Sequence, residues 1–246
     1  ILAQLVCTPA RAGRFIPEHF QTITSQRMPC TAKMVCGPSG VDSAAYSKEP
    51  FEVTITARSA SGLQAMNYRG VFARQVVLSA FEKAGGTQSK PGLSAAAVQA
   101  ADFRDGVAIV KPSYSLPNPF HHALPQGPWS GPDSIFLRAV ETGGTVSSLS
   151  GTNPPEAGIR IGPGRTLIVR DRERLNIPLQ VVAQYWSGTN WEPSSTDKHN
   201  LVDPSKASFT KLNGSLGNSV LSLIPSPLQL LSAGTARFSV NVSPAV

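Results

Sequence analysis

The stretch Phe51-Glu52-Val53-Thr54-Ile55-Thr56-Ala57-Arg58 alternates apolar and polar side chains one for one. An extended chain puts successive side chains on opposite faces, so this period of two describes a strand with one face buried. Segments of this kind recur along the chain, each cut short by glycine or proline. Val71–Phe81 is β-rich and ends at Gly85-Gly86. Val107–Val110 follows the Asp105-Gly106 turn. Ile135–Val140, Thr166–Val169, Leu179–Trp186, Val220–Ile224 and Ala236–Val242 complete the set. In the last of these, Phe238, Val240 and Val242 share one face, and Arg237, Ser239 and Asn241 the other. Asn213-Gly214 is a two-residue hairpin signal. Leu93–Phe103 is alanine-rich and stays open between helix and strand, because propensity favours the first and the neighbouring pattern the second.

Many short strands joined by turns predict an all-β chain built as sandwiches. Composition agrees. Gly and Pro number 21 each, and charged residues are 15% of the chain against roughly 25% in ordinary soluble domains. A length of 246 residues accommodates one large β-domain or two small ones, each with its own core. Gly143–Gly158, rich in Gly, Ser, Thr and Pro, is the expected boundary. The expectation is two consecutive β-sandwich (immunoglobulin-like) units with long Pro/Gly-rich loops, at 14–142 and 158–246, with 1–13 as the remnant of a preceding segment. The opening Ile1-Leu2-Ala3-Gln4-Leu5-Val6 is too short and uncharged for a complete signal peptide, so the chain reads as a piece of something longer. No apolar run reaches the roughly 18 residues of a membrane-spanning helix.

The net charge is +7, but the basic residues are scattered. The one dense run, Arg165–Arg174, is interrupted by Asp171 and Glu173, so a solvated surface is expected and no nucleic-acid partner. Catalytic signatures are missing. There is no G-x-S-x-G elbow, no H-E-x-x-H helix, and no recognisable carboxylate pair of the glycosidase kind. Gly162-Pro163-Gly164-Arg165-Thr166 lacks the lysine and spacing of a phosphate loop. His121 and His122 are adjacent, and on an extended chain they point to opposite sides, which suits no chelate. No enzyme activity, metal or cofactor is expected.

Cys30 and Cys36 lie close in a Pro/Gly-containing segment. They are disulfide candidates in an oxidising compartment, with free thiols as the alternative. Cys7 is the odd cysteine and a competitor for either. The aromatic cluster Tyr185, Trp186 and Trp191, together with Trp129 in the Pro112–Pro132 loop, offers anchors for a glycan or a protein partner. The competing reading places these rings in the core.

Several blocks, in order, resemble the C-terminal region of the MshQ-type MSHA pilus biogenesis proteins. Gly13-Arg14-Phe15-Ile16-Pro17-Glu18-His19-Phe20 is similar to that family's G-R-F-x-P-[DE]-H-F. Tyr46-Ser47-Lys48-Glu49-Pro50-Phe51 is similar to Y-x-x-Q-P-F, and Asn67-Tyr68-Arg69-Gly70 to N-Y-x-G. Phe103–Ala108, Leu137-Arg138-Ala139, Gly164–Leu167 and the Leu179–Trp191 block continue the series. After Asp197 the pattern departs. Lys198-His199-Asn200 stands where the family often has x-C-T, so a disulfide at that position is absent. The resemblance implies a Gram-negative protein at the cell surface or outside the cell, exported through the periplasm. It implies a structural, assembly or adhesive role in a type IV (MSHA-like) pilus or similar structure. Implied partners are pilus or surface-assembly proteins and further copies of the chain, with a glycan as the adhesive alternative and a secreted hydrolase more remote. It carries over no catalytic residue. The matched residues read as structural: Gly62 and Gly70 suit turns, and Phe15, Phe20 and Phe51 suit a core.

Overall fold

The computed structural model describes residues 16–25, 28–30, 37–118, 131–149, 156–170, 176–206, 220–223 and 228–243. Among them the chain is all-β, with only three single-turn 3-10 segments at Gly70–Phe72, Ala100–Asp102 and Pro204–Lys206. Twelve strands come first: β1 (His19–Thr24), β2 (Met28–Pro29), β3 (Val41–Tyr46), β4 (Val53–Arg58), β5 (Val76–Phe81), β6 (Ser89–Lys90), β7 (Leu93–Ser94), β8 (Ala97–Val98), β9 (Val107–Val110), β10 (Ser113–Tyr114), β11 (Asp133–Glu141) and β12 (Gly158–Gly162). One sheet has the order β1-β4-β9. A larger one runs β2-β3-β12-β11-β5-β6, with β8 also on β5.

These two sheets face each other across one core. The alternation in β4 does what its period requires: Val53, Ile55 and Ala57 are fully buried and meet Val76, Leu78, Ile135, Leu137, Ile159 and Ile161 of the larger sheet in a single apolar cluster. That is a sandwich. The alanine-rich run resolves into β7, β8 and a 3-10 turn rather than a helix. Pairing with β5 and β10 outweighs the local helix preference.

The remaining strands are β13 (Gly164–Arg170), β14 (Asn176–Trp186), β15 (Trp191–Pro193), β16 (Leu201–Val202), β17 (Val220–Leu223), β18 (Gln229–Leu230) and β19 (Thr235–Ser243). They form a five-stranded sheet in the order β13-β14-β19-β17, with β15 on β14, and a two-stranded β16-β18 sheet. Val181, Ala183, Leu231, Ala236 and Phe238 make its own smaller core.

The expected start of the second unit, residue 158, falls on β12. That strand pairs in parallel with β3 and antiparallel with β11, inside the first sandwich. The Gly143–Gly158 stretch connects two strands of one sheet, and its described part folds back on β11 through Glu141 N to Val146 O at 2.9 Å and Ser148 N to Ala139 O at 2.8 Å. The change of sheet comes at Pro163, the single residue between β12 and β13. Loop-like composition marked the segment, but hydrogen bonding between distant strands decides which sheet a strand joins. Asn213-Gly214 lies outside the described residues.

Candidate functional site

The two sheets that meet at Pro163 are held by an interlocking side-chain junction. Gly164 sits opposite Tyr185 on β14, and a Cβ there would lie 2.4 Å from the Tyr46 ring. Only glycine lets that ring rest against β13. The Tyr46 hydroxyl, at the end of β3, donates to Asp197 Oδ2 at 3.2 Å. Asp197 is fully buried. It also accepts from His199 N at 3.2 Å, Asn200 N at 3.1 Å and Asn200 Nδ2 at 2.9 Å. Four donors on one carboxylate meet most of its accepting capacity, so this group ties the 194–200 turn to β3. Burial pushes the Tyr46 phenol far above its ordinary range. A hydrogen bond from Ser194 opposes this, and the Asp197 charge adds to it. The ring stays neutral and acts as a donor.

Beside this junction lies an aromatic ladder. Trp186 and Trp191 are cross-strand partners at the β14–β15 turn, with ring centroids 5.6 Å apart at 56°. The Arg165 guanidinium lies 4.3 Å over the Trp191 ring and donates from Nε to Gln184 Oε1 at 2.8 Å. Both tryptophans are half-buried, between the core and surface readings. Tyr185 is buried with Met28 and Ala44. Two clefts flank Tyr46. One holds ≈ 470 Å³ of open space among Met28, Ala44, Pro132, Arg160 and Trp186. The other holds ≈ 640 Å³ among Thr166, Ala183, Asn200, Leu201, Val202 and Leu231.

Cys30 is disulfide-bonded; Cys7 and Cys36 lie outside the described residues. So do Trp129, Phe15, His121 and His122. His19 is partly buried on β1, and His199 is exposed. Among the described residues no three His, Cys, Asp or Glu side chains gather as a metal site would need.

The motif residues occupy packing positions. Phe20, Tyr68 and Phe103, from three separate blocks, meet as an aromatic triangle with centroids 4.9 to 6.3 Å apart, at edge-on and tilted angles such rings favour. Phe51 is fully buried. Gly62 and Gly70 hold φ of 79° and 52°, the left-handed conformation that favours glycine. Arg69 pairs with Asp105 at 2.6 Å across two blocks.

Sequence reasoning missed the most buried ion pair among the described residues. Arg138 on β11 donates from Nε to Glu156 Oε1 at 2.5 Å, and also to Glu156 Oε2 at 3.3 Å and Gly86 O at 2.9 Å. Ser148 Oγ and Gly85 N complete the carboxylate's partners at 3.1 and 2.7 Å. Phe81 lies 3.8 Å beneath the guanidinium. The Leu137-Arg138-Ala139 match was the available signal: a charge placed between two core residues asks for a buried partner.

Stacked, mainly antiparallel sheets whose converging polar groups bind one another define a β-sandwich-type protein. The chain belongs to the DUF6701 family, its residues 7–142 matching the model described as "DUF6701, third domain". No curated protein matches it.

Proposed function

We propose that this protein is a non-enzymatic structural or assembly component of a bacterial surface structure, of the type IV (MSHA-like) pilus class, working outside the cytoplasm. The observation that carries the reading is the aromatic triangle. Residues from three blocks that resemble MshQ-type proteins meet in one core, as expected if the blocks specify a shared fold. The Cys30 disulfide supports an oxidising compartment. The test is deletion of the gene in its own bacterium, with pili counted by electron microscopy and the protein located by immunogold labelling and protease shaving of intact cells. Loss or shortening of pili with surface labelling is expected. Normal pili together with a protease-protected, cytosolic protein would overturn the proposal.

A second reading, an adhesive module for glycans, rests on the half-buried Trp186 at the rim of a cleft. Glycan-array binding that Trp186→Ala removes would favour this reading.

A further inference from the structure

On β12, Ile159 and Ile161 turn into the core of the sandwich, which puts Arg160 and Gly162 on the outer face of the larger sheet. There Arg160 stands in a cross-strand row with Ala44 on β3 and Ser134 on β11, and Met28 on β2 continues the row beyond Ala44. Tyr185 packs against Met28 and Ala44, so the end of β14 roofs this row. The first cleft, with ≈ 470 Å³ of open space, is walled by both. Small-molecule sites span roughly 300–1,000 Å³. Arg160 is the one charged residue in the wall.

The charge of Arg160 is poorly compensated. Among the described residues, Nη1 donates to Ser134 Oγ at 3.1 Å, and the buried Nε has no partner. Burial lowers the pKa of the guanidinium, and the nearby Asp133 charge opposes this. Asp133 is itself taken, because Lys90 Nζ holds both its oxygens at 2.6 Å. Arg138 on the neighbouring strand shows the compensated case, with Glu156 and the Gly86 carbonyl as partners. A desolvated cation without such partners is costly, and an unsatisfied buried group in a native fold asks for a reason. The rest of the wall adds little polarity. The Tyr46 hydroxyl is bound to Asp197 and Ser187 Oγ to Asn190 O, while Met28, Pro132 and Trp186 present apolar surface. A molecule that satisfies this wall brings one negative charge and an apolar body. A phosphate monoester, with a charge of about −1.5 to −2 at neutral pH, exceeds what one guanidinium balances.

We propose that this cleft binds a monocarboxylate with an apolar, ring-sized body, the carboxylate held by Arg160 and the body lying among Met28, Pro132 and Trp186. A guanidinium and a carboxylate form the stronger, charge-assisted kind of hydrogen bond. Thioether and ring surfaces suit a flat apolar group. The same chemistry belongs to a free aryl acid and to the C-terminal residue of an apolar chain end. The inference stands on the cleft wall and depends on neither the pilus assignment nor the glycan reading.

The test titrates the whole chain by isothermal calorimetry with hydrocinnamate and N-acetylphenylalanine, and with the primary amide of each. Saturable binding of the acids is expected, each about tenfold tighter than its amide, the scale of one hydrogen bond to a charged group. The tighter acid names the source: hydrocinnamate a free acid, N-acetylphenylalanine a chain end. Arg160→Gln should bring each acid down to the affinity of its amide. Gly162→Leu should remove the binding of all four probes. A Cβ at Gly162 lies 3.7 Å from Pro132 and 3.9 Å from the Trp186 carbonyl oxygen, ordinary contact distances, so the longer side chain fills the cleft without a clash at its root. Circular dichroism checks that both variants fold, and the acid-against-amide comparison in the parent decides by itself if they do not. Acids and amides that bind alike, acid preference that survives Arg160→Gln, or acid binding that survives Gly162→Leu overturns the inference. So does the lack of saturation by any probe up to about 5 mM, the weak end of specific binding.

Discussion

Replacing Glu156 by glutamine keeps its shape and removes its charge. The Glu156 side chain is 0% exposed and that of Arg138 11%, so the guanidinium cannot turn to water for compensation. It would keep the Gly86 carbonyl and the Phe81 ring and lose its counter-charge. Breaking a buried pair from one side costs about 3–5 kcal/mol. The bonds from Ser148 Oγ and Gly85 N weaken as well, because an amide oxygen is a poorer acceptor than a carboxylate. With a urea slope of about 2 kcal/mol per molar, the unfolding midpoint should fall by about 1.5–2.5 M. Urea titration followed by tryptophan fluorescence and far-UV circular dichroism measures it. The double variant Arg138→Met/Glu156→Gln removes the stranded charge and should recover at least about 2 kcal/mol of the loss. A single variant within about 1 kcal/mol of the parent, or a double variant no more stable than the single, would refute the view that uncompensated charge sets the cost.

Three further perturbations probe other parts of the molecule. Tyr46 and Tyr114 both have raised phenol pKa values, chiefly from burial; the unfolded chain loses these protons near pH 10 while the native state keeps them. Their contribution is therefore complete below about pH 10 and falls as pH rises above it, by up to about 1.4 kcal/mol per unit for each group. Tyr46→Phe should flatten that alkaline limb in pH-dependent urea melts, leaving the Tyr114 part. Gly62 and Gly106 hold φ of 79° and 82°, but a Cβ meets nothing within 4 Å at the first and the Ala65 carbonyl oxygen at 2.3 Å at the second. Gly62→Ala should thus cost only the left-handed strain of about 1–2 kcal/mol and Gly106→Ala clearly more, as read from thermal melts; equal losses would contradict the packing argument. Cys30→Ser opens the disulfide and should cost about 2–4 kcal/mol, a loss that reductant reproduces in the parent and does not deepen in the variant.

Local chemistry was sufficient for the fold class. Period-two alternation in β4 and β19, glycine and proline at the breaks, and a low charge content each act on a few neighbouring residues, and together they leave an all-β chain as the outcome. The motif blocks likewise marked Phe20, Tyr68 and Phe103 without showing that the three rings touch. What sequence alone did not decide was every pairing across distance. β12 looked like the beginning of something new and joined β3 and β11 instead. Arg138 found Glu156 eighteen positions away, and Tyr46 found Asp197 151 positions away. That β13 ends its sheet among the described strands became visible only with the sheet order in hand. Side-chain period tells a strand which face to bury; its hydrogen-bonding neighbour is set by which other strands reach it once the cores close, and that is a property of the whole chain.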